Sequence, residues 1–482
     1  MTPLRILALV LIALLISIPS CGGEGPTAAP GAAEAEAMTG SLKGRSFVLV
    51  VADSLHAGHL SAYGYERETS PFLERLSSMG VRAERALSQT SWTLSSVISL
   101  FTGLVQERHG ILMQTQVLGP DGPRTLAEMF TAAGYRSVGF NENAAAGPFT
   151  GAGKGFESYD LKRFDLGRGE DTLNEARAVL NQSLSGESPP LFLYVHILPP
   201  HMPYTPPEPF ASLFNETPSS LITGTIEDVA QTQARGIPRS HADNQRLIET
   251  YDAHIAYADD RIRRLLEPAL TSHPEKLCVV FTSDHGEAFL QHGATGHNTF
   301  TYEEFVSIPW ILAAPGAIPA NLTLPGPVSI LDTVPTIAQL FDLDLPATSL
   351  DGTSLLETFA GLEDGAPTRP LASRELFISS RYPPEGRGAQ FALVEGDWKL
   401  IARRRQAPPL LFNTSKDPEE QTDVSADHQG RLTRMSSRMA DIRTGLVEEA
   451  GAALSAPLSA TMLRDLEALG YGGADFELPK GK

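Results

Sequence analysis

Two acidic residues and a histidine follow long apolar runs in a pattern that favours metal chemistry. Asp53 follows the apolar residues 47–52, and Asp284 and His285 come shortly after the apolar residues 277–281. Unbroken apolar runs rich in β-branched residues are typical of central strands in a parallel sheet with helices on both faces. Because ligands bind beyond the carboxyl ends of such strands, we expect these side chains to converge in one crevice.

Thr93 adds a hydroxyl group to this candidate site. It lies in residues 91–103, SWTLSSVISLFTG, which read as a polar turn running into an apolar helix. A hydroxyl at a helix N-terminus faces unpaired amide donors and the positive end of the helix dipole, which stabilise an anionic ester or an alkoxide. Oxygen and nitrogen ligands nearby suit a hard or borderline divalent cation. The pattern predicts a hydroxyl nucleophile activated by a metal ion.

Two further histidines lie in segments that could reach the same crevice. The apolar residues 191–195 predict another strand, and His201 follows it between prolines that hold the chain in a rigid extended turn. His196, directly after that strand, fits either a hydrogen-bonding role in the core or a place in the site. His297 lies in the loop after Asp284 and His285.

Five segments, in chain order, resemble successive landmarks of the sulfatase family in the alkaline phosphatase superfamily. They are the stretch from FVLVVADSLHAGHLSAYGYERETSPFLERL to TSWTLSSVISLFTG, then FLYVHILPPHMPYTPP, YDAHIAYADDRIRRLL, FTSDHGEAFLQHGATGHNTFTYEEFVSIPWIL and LLFNTSKDPEEQTDVSADH. The resemblance implies an α/β, alkaline phosphatase-like fold with a mostly parallel central sheet flanked by helices. It also implies a small C-terminal antiparallel sheet plus a helix.

The resemblance also implies roles for the residues of the crevice. The metal ligands carried over from the family are Asp53, Thr93, Asp284 and His285. His201 and His297 match histidines that contact the substrate, so we expect them to stabilise or protonate an ester oxygen. Ser54 and Gly58 stand where relatives can carry further acidic residues, which favours one divalent ion over two. Zinc or manganese is favoured, and calcium or magnesium would also fit.

The nucleophile segment departs from that of the sulfatases that cleave sulfate esters. Those enzymes carry Cys or Ser in a Cys/Ser-x-Pro-Ser-Arg run and convert it to formylglycine, whereas residues 93–97 here read TLSSV. We therefore expect no formylglycine. Threonine at this position resembles the phosphoethanolamine transferases, lipoteichoic-acid synthases and nucleotide phosphodiesterases of the superfamily.

These features predict a metal-dependent hydrolase in which Thr93 attacks a phosphate ester, with a sulfate ester as a further option. One alternative is a phosphoethanolamine-type transferase that modifies an envelope glycan or lipid, and another is a non-catalytic envelope binding protein that retains the fold. In each enzyme reading the partner is an anionic ester, carried by a small molecule, a glycan or a lipid head group. A formal charge of −19, from 38 basic and 57 acidic residues, argues against a nucleic-acid-binding protein.

The N-terminus predicts export from a bacterial cell. Arg5, the apolar residues 6–18 and the small residues that follow are typical of a signal peptide over residues 1–20. Cys21 resembles the lipidated first residue of a lipoprotein, which would attach the protein to a membrane on the periplasmic or surface side. Plain secretion and an uncleaved anchor are the alternatives. The other cysteine, Cys278, lies within a predicted strand, so a disulfide framework is excluded.

Composition divides the rest of the chain. Residues 21–44, rich in Ala, Gly, Pro and Glu, predict a flexible tether. Residues 45–342 form the predicted catalytic domain, residues 343–370 a linker, and residues 371–482 a C-terminal subdomain of short strands and a helix.

Overall fold

The computed structural model describes residues 32–163, 169–218, 240–297, 300–363, 371, 374–380, 389–403, 407–449, 451, 453–455 and 459–467. The predicted signal peptide and Cys21 lie outside the described residues. Among the described residues, no helix is both long enough and apolar enough to cross a bilayer.

The strands are β1 Ser46–Ala52, β2 Gly80–Ala83, β3 Ala86–Leu87, β4 Gln116–Val117, β5 Arg136–Asn141, β6 Ser158–Leu161, β7 Leu191–Ile197, β8 Leu277–Ser283, β9 Ala288–Phe289, β10 Thr295–Gly296, β11 Ser307–Ile308, β12 Trp310–Ala313, β13 Leu322–Leu324, β14 Val328–Ser329, β15 Glu375–Ser380, β16 Gln390–Glu395, β17 Trp398–Ala402, β18 Leu410–Asn413 and β19 Leu454–Ser455. The α-helices are α1 Ala32–Met38, α2 Pro71–Ser78, α3 Thr93–Thr102, α4 Gln106–His109, α5 Leu126–Ala132, α6 Gly169–Leu184, α7 His241–Ser272, α8 Glu303–Val306, α9 Thr333–Phe341, α10 Leu356–Glu363, α11 Gln429–Glu448 and α12 Ala460–Glu467.

The main sheet is mostly parallel, as the sequence predicts. Over the described residues it has the strand order β13-β2-β12-β8-β1-β7-β5-β6. The central strand β1 pairs in parallel with β7 and β8, and β5 continues the parallel arrangement to β6. β12 runs antiparallel between β8 and β2. The carboxyl ends of β1, β5, β7 and β8 therefore meet at one edge of the sheet.

Alternate residues of the central strands feed two separate cores. Phe47, Leu49 and Val51 of β1 belong to the hydrophobic cluster that also holds apolar side chains of α3, α5 and α9. Val48 and Val50 belong to the opposite cluster, with side chains of α2, α6 and α7. Helices thus cover both faces of the sheet, which explains why its central strands are apolar without alternation.

Helix α7 shows how local sequence sets an element that braces the sheet. Ser240 and Asp243 form a capping box at its N-terminus, so the helix begins at His241. Asp259 of this helix accepts hydrogen bonds from the backbone amides of Phe72 and Leu73, each at 2.9 Å. It therefore caps the N-terminus of α2.

Two segments expected from composition to be irregular contain helices. Within the predicted tether, α1 buries Ala35, and Leu42 in the following turn is also buried. Within the predicted linker, α10 buries Leu356 and Phe359. All four side chains belong to the cluster under the main sheet. Sparse apolar residues are thus enough to fix both segments once the main core supplies their partners.

The C-terminal unit is a small antiparallel sheet with a helix against it, as the resemblance implies. Its strand order is β15-β16-β17-β18, and α11 packs on it through Met435 and Met439. The amide of Ser379 donates to the carbonyl oxygen of Gln89 at 3.0 Å. This bond joins the unit to the segment that leads into α3.

Candidate active site

Asp53, Asp284 and His285 lie together at the carboxyl edge of the main sheet. Asp53 follows β1 and Asp284 follows β8, and these strands are hydrogen-bonded neighbours. The three side chains are fully buried, and each offers a ligand atom within 4.8 Å of the other two. His285 Nε2 lies 3.4 Å from Asp284 Oδ2 and 4.0 Å from Asp53 Oδ1. The convergence expected from the sequence is present.

Thr93 stands against this group. It is the first residue of α3, so it lies where helix amides lack intrahelical partners. Its Oγ1 is 3.2 Å from His285 Nε2, and its side chain is buried. The hydroxyl of Ser96, one turn later, donates to the carbonyl oxygen of Asp284 at 2.5 Å. That bond fixes the first turn of α3 to the end of β8.

The free lone pairs of this group fit a divalent cation. Asp284 Oδ1 accepts from the amides of Ser54 and His285, at 3.1 and 2.9 Å, whereas its Oδ2 is buried and has no hydrogen-bond partner among the described residues. His285 Nδ1 donates to the carbonyl oxygen of Gly286 at 2.9 Å, which leaves the lone pair on Nε2. An orphaned carboxylate oxygen beside an imidazole lone pair is the arrangement that metal binding resolves.

Asp53 is held by two residues that turn one of its oxygens towards the group. Its Oδ2 is bonded to Asn143 Nδ2 at 2.5 Å and to His196 Nε2 at 2.9 Å. Burial alone would raise the pKa of Asp53, but His201, His196 and His285 lower it below its usual value. Burial likewise opposes a charge on His196, yet its hydrogen bond to Asp53 raises the pKa of that imidazole. Asp53 is therefore ionised, with Oδ1 available to a cation.

The two predicted catalytic histidines lie beside this group. The ring of His297 is 4.4 Å from that of His285 and 4.9 Å from that of His201, between centroids. His297 Nδ1 lies 2.9 Å from Glu287 Oε2, and Tyr204 donates to the other oxygen of Glu287 at 2.5 Å. Burial lowers the pKa of His297. The pKa of Glu287 is lowered despite its burial, because His297 lies beside it.

Ser54 links the two acidic strand ends. Its amide donates to Asp284, its hydroxyl lies 3.2 Å from Asp53 Oδ1, and its backbone is left-handed, with φ at 58°. Such a conformation is uncommon for a residue other than glycine and is typical of functional turns. The turn after β1 is thus shaped by the contact with Asp284.

Four other polar residues lie outside this group. His59 contacts Asp252, and His56 caps the short helical turn after β1. His292 lies between Glu304 and the backbone of Glu420. Lys154 donates to two backbone carbonyl oxygens, at 2.7 and 3.0 Å, so it supports the loop before β6.

Sequence reasoning did not assign three residues that support the site. Asn143 follows the end of β5 by two residues, so its position at the shared strand edge was a usable signal. Glu287 is two residues after His285, in the loop that leads to His297. His196 fits both of the places that the sequence allows for it, since it is fully buried and its Nε2 is bonded to Asp53.

Comparison with known proteins decides the family. A sequence model of the sulfatase family matches residues 45–343, more than half of the chain. The chain belongs to the sulfatase family. The resemblance inferred from sequence is thereby confirmed, and the matched region contains all six predicted site residues.

Curated relatives match this sulfatase-family chain over limited regions. Mouse arylsulfatase K is 31% identical over 155 residues, which cover 32% of this chain and 28% of that protein. The uncharacterized sulfatase YidJ of Escherichia coli K12 is 21% identical over 347 residues, or 63% of this chain and 69% of that protein. The chain thus spans less than a third of the length of the arylsulfatase K that it matches.

Solved structures share the fold over nearly their whole length. The phosphonate monoester hydrolase of Agrobacterium radiobacter superposes with a TM-score of 0.65 at 19% identity, covering 86% of this chain and 100% of that one. A protein solved with its substrate D-glucosamine-2-N,6-O-disulfate gives 0.69 at 15% identity, covering 84% and 99%. These likenesses confirm the predicted fold class, including the small C-terminal sheet.

Proposed function

We propose that this sulfatase-family protein is a metal-dependent hydrolase of sulfuric or phosphoric esters, with phosphoester cleavage through Thr93 favoured. The observation that carries the proposal is the buried Thr93 hydroxyl, 3.2 Å from His285 Nε2 and beside the orphaned oxygen of Asp284. The phosphonate monoester hydrolase and the disulfated-sugar protein among the structural neighbours support an anionic ester as the substrate.

The residues that would hold the cation are Asp53, Thr93, Asp284 and His285. When bound there, a divalent cation would lower the pKa of a hydroxyl group and neutralise charge on ester oxygens. Zinc or manganese is favoured, because one imidazole nitrogen joins the oxygen donors, and calcium or magnesium remain alternatives.

The chain's own residues supply the rest of the chemistry. Thr93 Oγ1 forms a bond to phosphorus as the bond from phosphorus to the leaving oxygen breaks. The amides of the first turn of α3 face the developing charge. His297, oriented by Glu287, and His201 stand where they can take up the proton that the Thr93 hydroxyl gives up and pass it to the leaving oxygen. Attack of water on the phosphothreonine then restores Thr93 and releases the acid.

The nucleophile is tested with the purified full chain loaded in turn with zinc, manganese, magnesium and calcium. Nitrophenyl phosphate, bis-nitrophenyl phosphate, a nitrophenyl phosphonate and nitrophenyl sulfate are the substrates. Thr93→Ala should lower phosphoester turnover by about a thousandfold or more, since it removes the attacking atom. The matched control is Thr102→Ala, at the other end of α3, where the hydroxyl donates to the carbonyl oxygen of Ile98 at 2.7 Å.

The results also separate the alternatives. Full turnover by Thr93→Ala would sink the nucleophile assignment, and sulfate turnover above phosphoester turnover would overturn the substrate preference. Incorporation of a labelled acceptor alcohol into product would identify a transferase. No turnover with any of the four ions, despite stoichiometric metal binding, would favour a binding protein that keeps the fold.

We further infer that the protein is exported and lipid-anchored through Cys21 in a bacterial envelope. Support comes from Arg5, the apolar residues 6–18 and the cysteine that follows them. Expressed in bacteria fed labelled palmitate, the full chain should become labelled and Cys21→Ala should not. Equal labelling of the two proteins would contradict the anchor.

A further inference from the structure

A second cleft, of about 560 Å³, opens between the turn after β1 and the C-terminal unit. It lies apart from the Thr93 site, since none of Asp53, Thr93, Asp284 or His285 lines it. We call it the His56–His59 cleft; these two histidines line it together with Tyr63, Tyr65, Glu84 and Glu419 among others. Its volume falls in the range of pockets that bind small molecules.

His59 presents an unused lone pair to this cleft. The residue is 9% exposed, and its Nδ1 lies 2.8 Å from Asp252 Oδ1. The other oxygen of Asp252 accepts from Tyr65 at 2.7 Å and from Arg67 at 2.6 Å, so the oxygen that faces His59 is left to accept from Nδ1. No described residue bonds His59 Nε2. The hydrogen bond to Asp252 fixes the orientation of this buried imidazole. Its other nitrogen, which has no partner among the described residues, can accept a hydrogen bond.

His56 presents the opposite chemistry. Its Nδ1 accepts from the amide of Gly58 at 3.1 Å, and its ring centroid lies 5.7 Å from that of His59. Burial, with a smaller effect from His59, lowers the pKa of His56 to about 3, so the ring is neutral and carries its proton on Nε2. The cleft therefore holds one acceptor and one donor side by side.

The rim of the cleft is negative. Glu84 and Glu419 are exposed, and neither carboxylate has a hydrogen-bond or ion-pair partner among the described residues. The cationic side chain at the rim, Arg85, is already neutralised by two hydrogen bonds to Glu303, at 2.7 and 3.0 Å. Glu303 is also bonded to Lys399, at 3.1 Å. The unpaired charge that faces a ligand is thus carboxylate charge.

We propose that the His56–His59 cleft binds a primary ammonium group carried on a small hydroxylated ligand. The ammonium group would be received by the carboxylates of Glu84 and Glu419 and by His59 Nε2, and a ligand oxygen would accept from His56 Nε2. This chemistry is shared by an amino sugar and by an ethanolamine head group. The proposal does not depend on the reaction assigned to Thr93. A metal ion is disfavoured, since the described residues form no three-ligand group in this cleft.

Calorimetric titration of the full chain tests the proposal. Glucosamine or ethanolamine should bind saturably at millimolar concentrations, whereas glucose and N-acetylglucosamine should bind at least about tenfold more weakly, because they lack the ammonium group. Binding of glucosamine alone would identify an amino sugar, and binding of ethanolamine alone would identify a head group. Equal binding of glucose and glucosamine, or no saturable binding of either amine, would overturn the proposal.

Variants locate the binding. The exposed pair Glu84→Gln and Glu419→Gln should together weaken amine binding about tenfold or more without affecting folding. His59→Gln should weaken it as well. The matched control is Glu275→Gln, an exposed glutamate just before β8, at the opposite end of that strand from the site. Thr93→Ala should bind amines as the unmodified chain does, which separates this proposal from the proposed function. An equal loss in Glu275→Gln would overturn the assignment to this cleft.

Discussion

Asp284 and Glu142 are both fully buried carboxylates at the carboxyl edge of the main sheet, yet their oxygens are used very differently. Glu142 accepts two hydrogen bonds from Arg261, at 2.5 and 2.8 Å, and a third from the amide of Leu198 at 2.9 Å. Asp284 accepts two backbone amides on one oxygen and none on the other among the described residues.

The difference distinguishes a carboxylate that supports the fold from one that has an oxygen available to a metal ion. Burial of a charge is tolerated when its lone pairs are satisfied, and an orphaned oxygen costs free energy unless a further partner arrives. Glu142 meets this condition inside the chain. Asp284 does not meet it among the described residues, which is why we propose that a bound cation satisfies its second oxygen.

Asp284→Asn should have the largest effect on metal binding and turnover. The variant removes one of the two ligand carboxylates, and we expect affinity for the divalent ion to fall by at least about a hundredfold and turnover to fall with it. The apparent melting temperature without metal should stay the same or rise, because a buried carboxylate oxygen that has no hydrogen-bond partner among the described residues is removed. Metal-binding calorimetry and thermal unfolding on the same samples measure both effects. Unchanged metal affinity would mean that Asp284 is not a ligand.

Glu142→Gln should show the reverse pattern. It strips the buried Arg261 of its counter-ion, which should lower the free energy of unfolding by about 3–5 kcal/mol. Denaturant unfolding measures the loss, and calorimetry should find the metal affinity of the folded variant retained. The double variant Glu142→Leu with Arg261→Met is the control and should be less destabilised, because no charge is left unpaired. A variant as stable as the unmodified chain would show that Glu142 is not a supporting ion-pair partner.

Glu287→Gln tests a supporting carboxylate that lies within the candidate site itself. Glu287 touches His297 rather than the substrate, so it is a positioning residue, and its loss should lower kcat by about tenfold to a hundredfold. The loss should be larger for alkyl esters than for nitrophenyl esters, since only the poor leaving group needs a proton from His297. Tyr204→Phe, which removes a hydroxyl and leaves the carboxylate, should give the same trend more weakly. An equal loss for both leaving groups would point to a general structural defect.

Asp259 tests a buried carboxylate that backbone amides satisfy. Burial raises its pKa to about 7, so the folded state holds a proton there that the unfolded state has released from about pH 4 upwards. The contribution of this group to stability should therefore fall as pH rises from about 4 to about 7 and stay level above that. Comparing Asp259→Asn with the unmodified chain by denaturant unfolding across this range isolates the slope. A difference between the two proteins that does not vary with pH would contradict the raised pKa.

Most of the fold was predictable because apolar runs mark buried parallel strands. The strands that carry Asp53 and Asp284 were recognised from such runs, and each ends where a polar residue interrupts the apolar pattern. The segments holding α1 and α10 were not, because the helices depend on a few side chains that the main sheet covers. That partner is distant in sequence and leaves no local periodicity.

The convergence of four candidate ligand residues was predictable, and the residues that support them were largely not. Asp53, Thr93, Asp284 and His285 stand at element boundaries, where their polarity is conspicuous. Asn143 and Glu287 support the site through contacts between separate loops. The spacing of residues within either loop does not indicate such a contact.

The left-handed backbone of Ser54 has a consequence for the evolution of this active site. In a library that randomises position 54, we expect survivors to be enriched in glycine, asparagine and aspartate, and valine and isoleucine to disappear, because β-branched side chains resist positive φ. An aspartate that survived there would place a third carboxylate beside Asp53 and Asp284. The conformational preference of a single turn residue therefore keeps a larger, two-ion ligand set one substitution away.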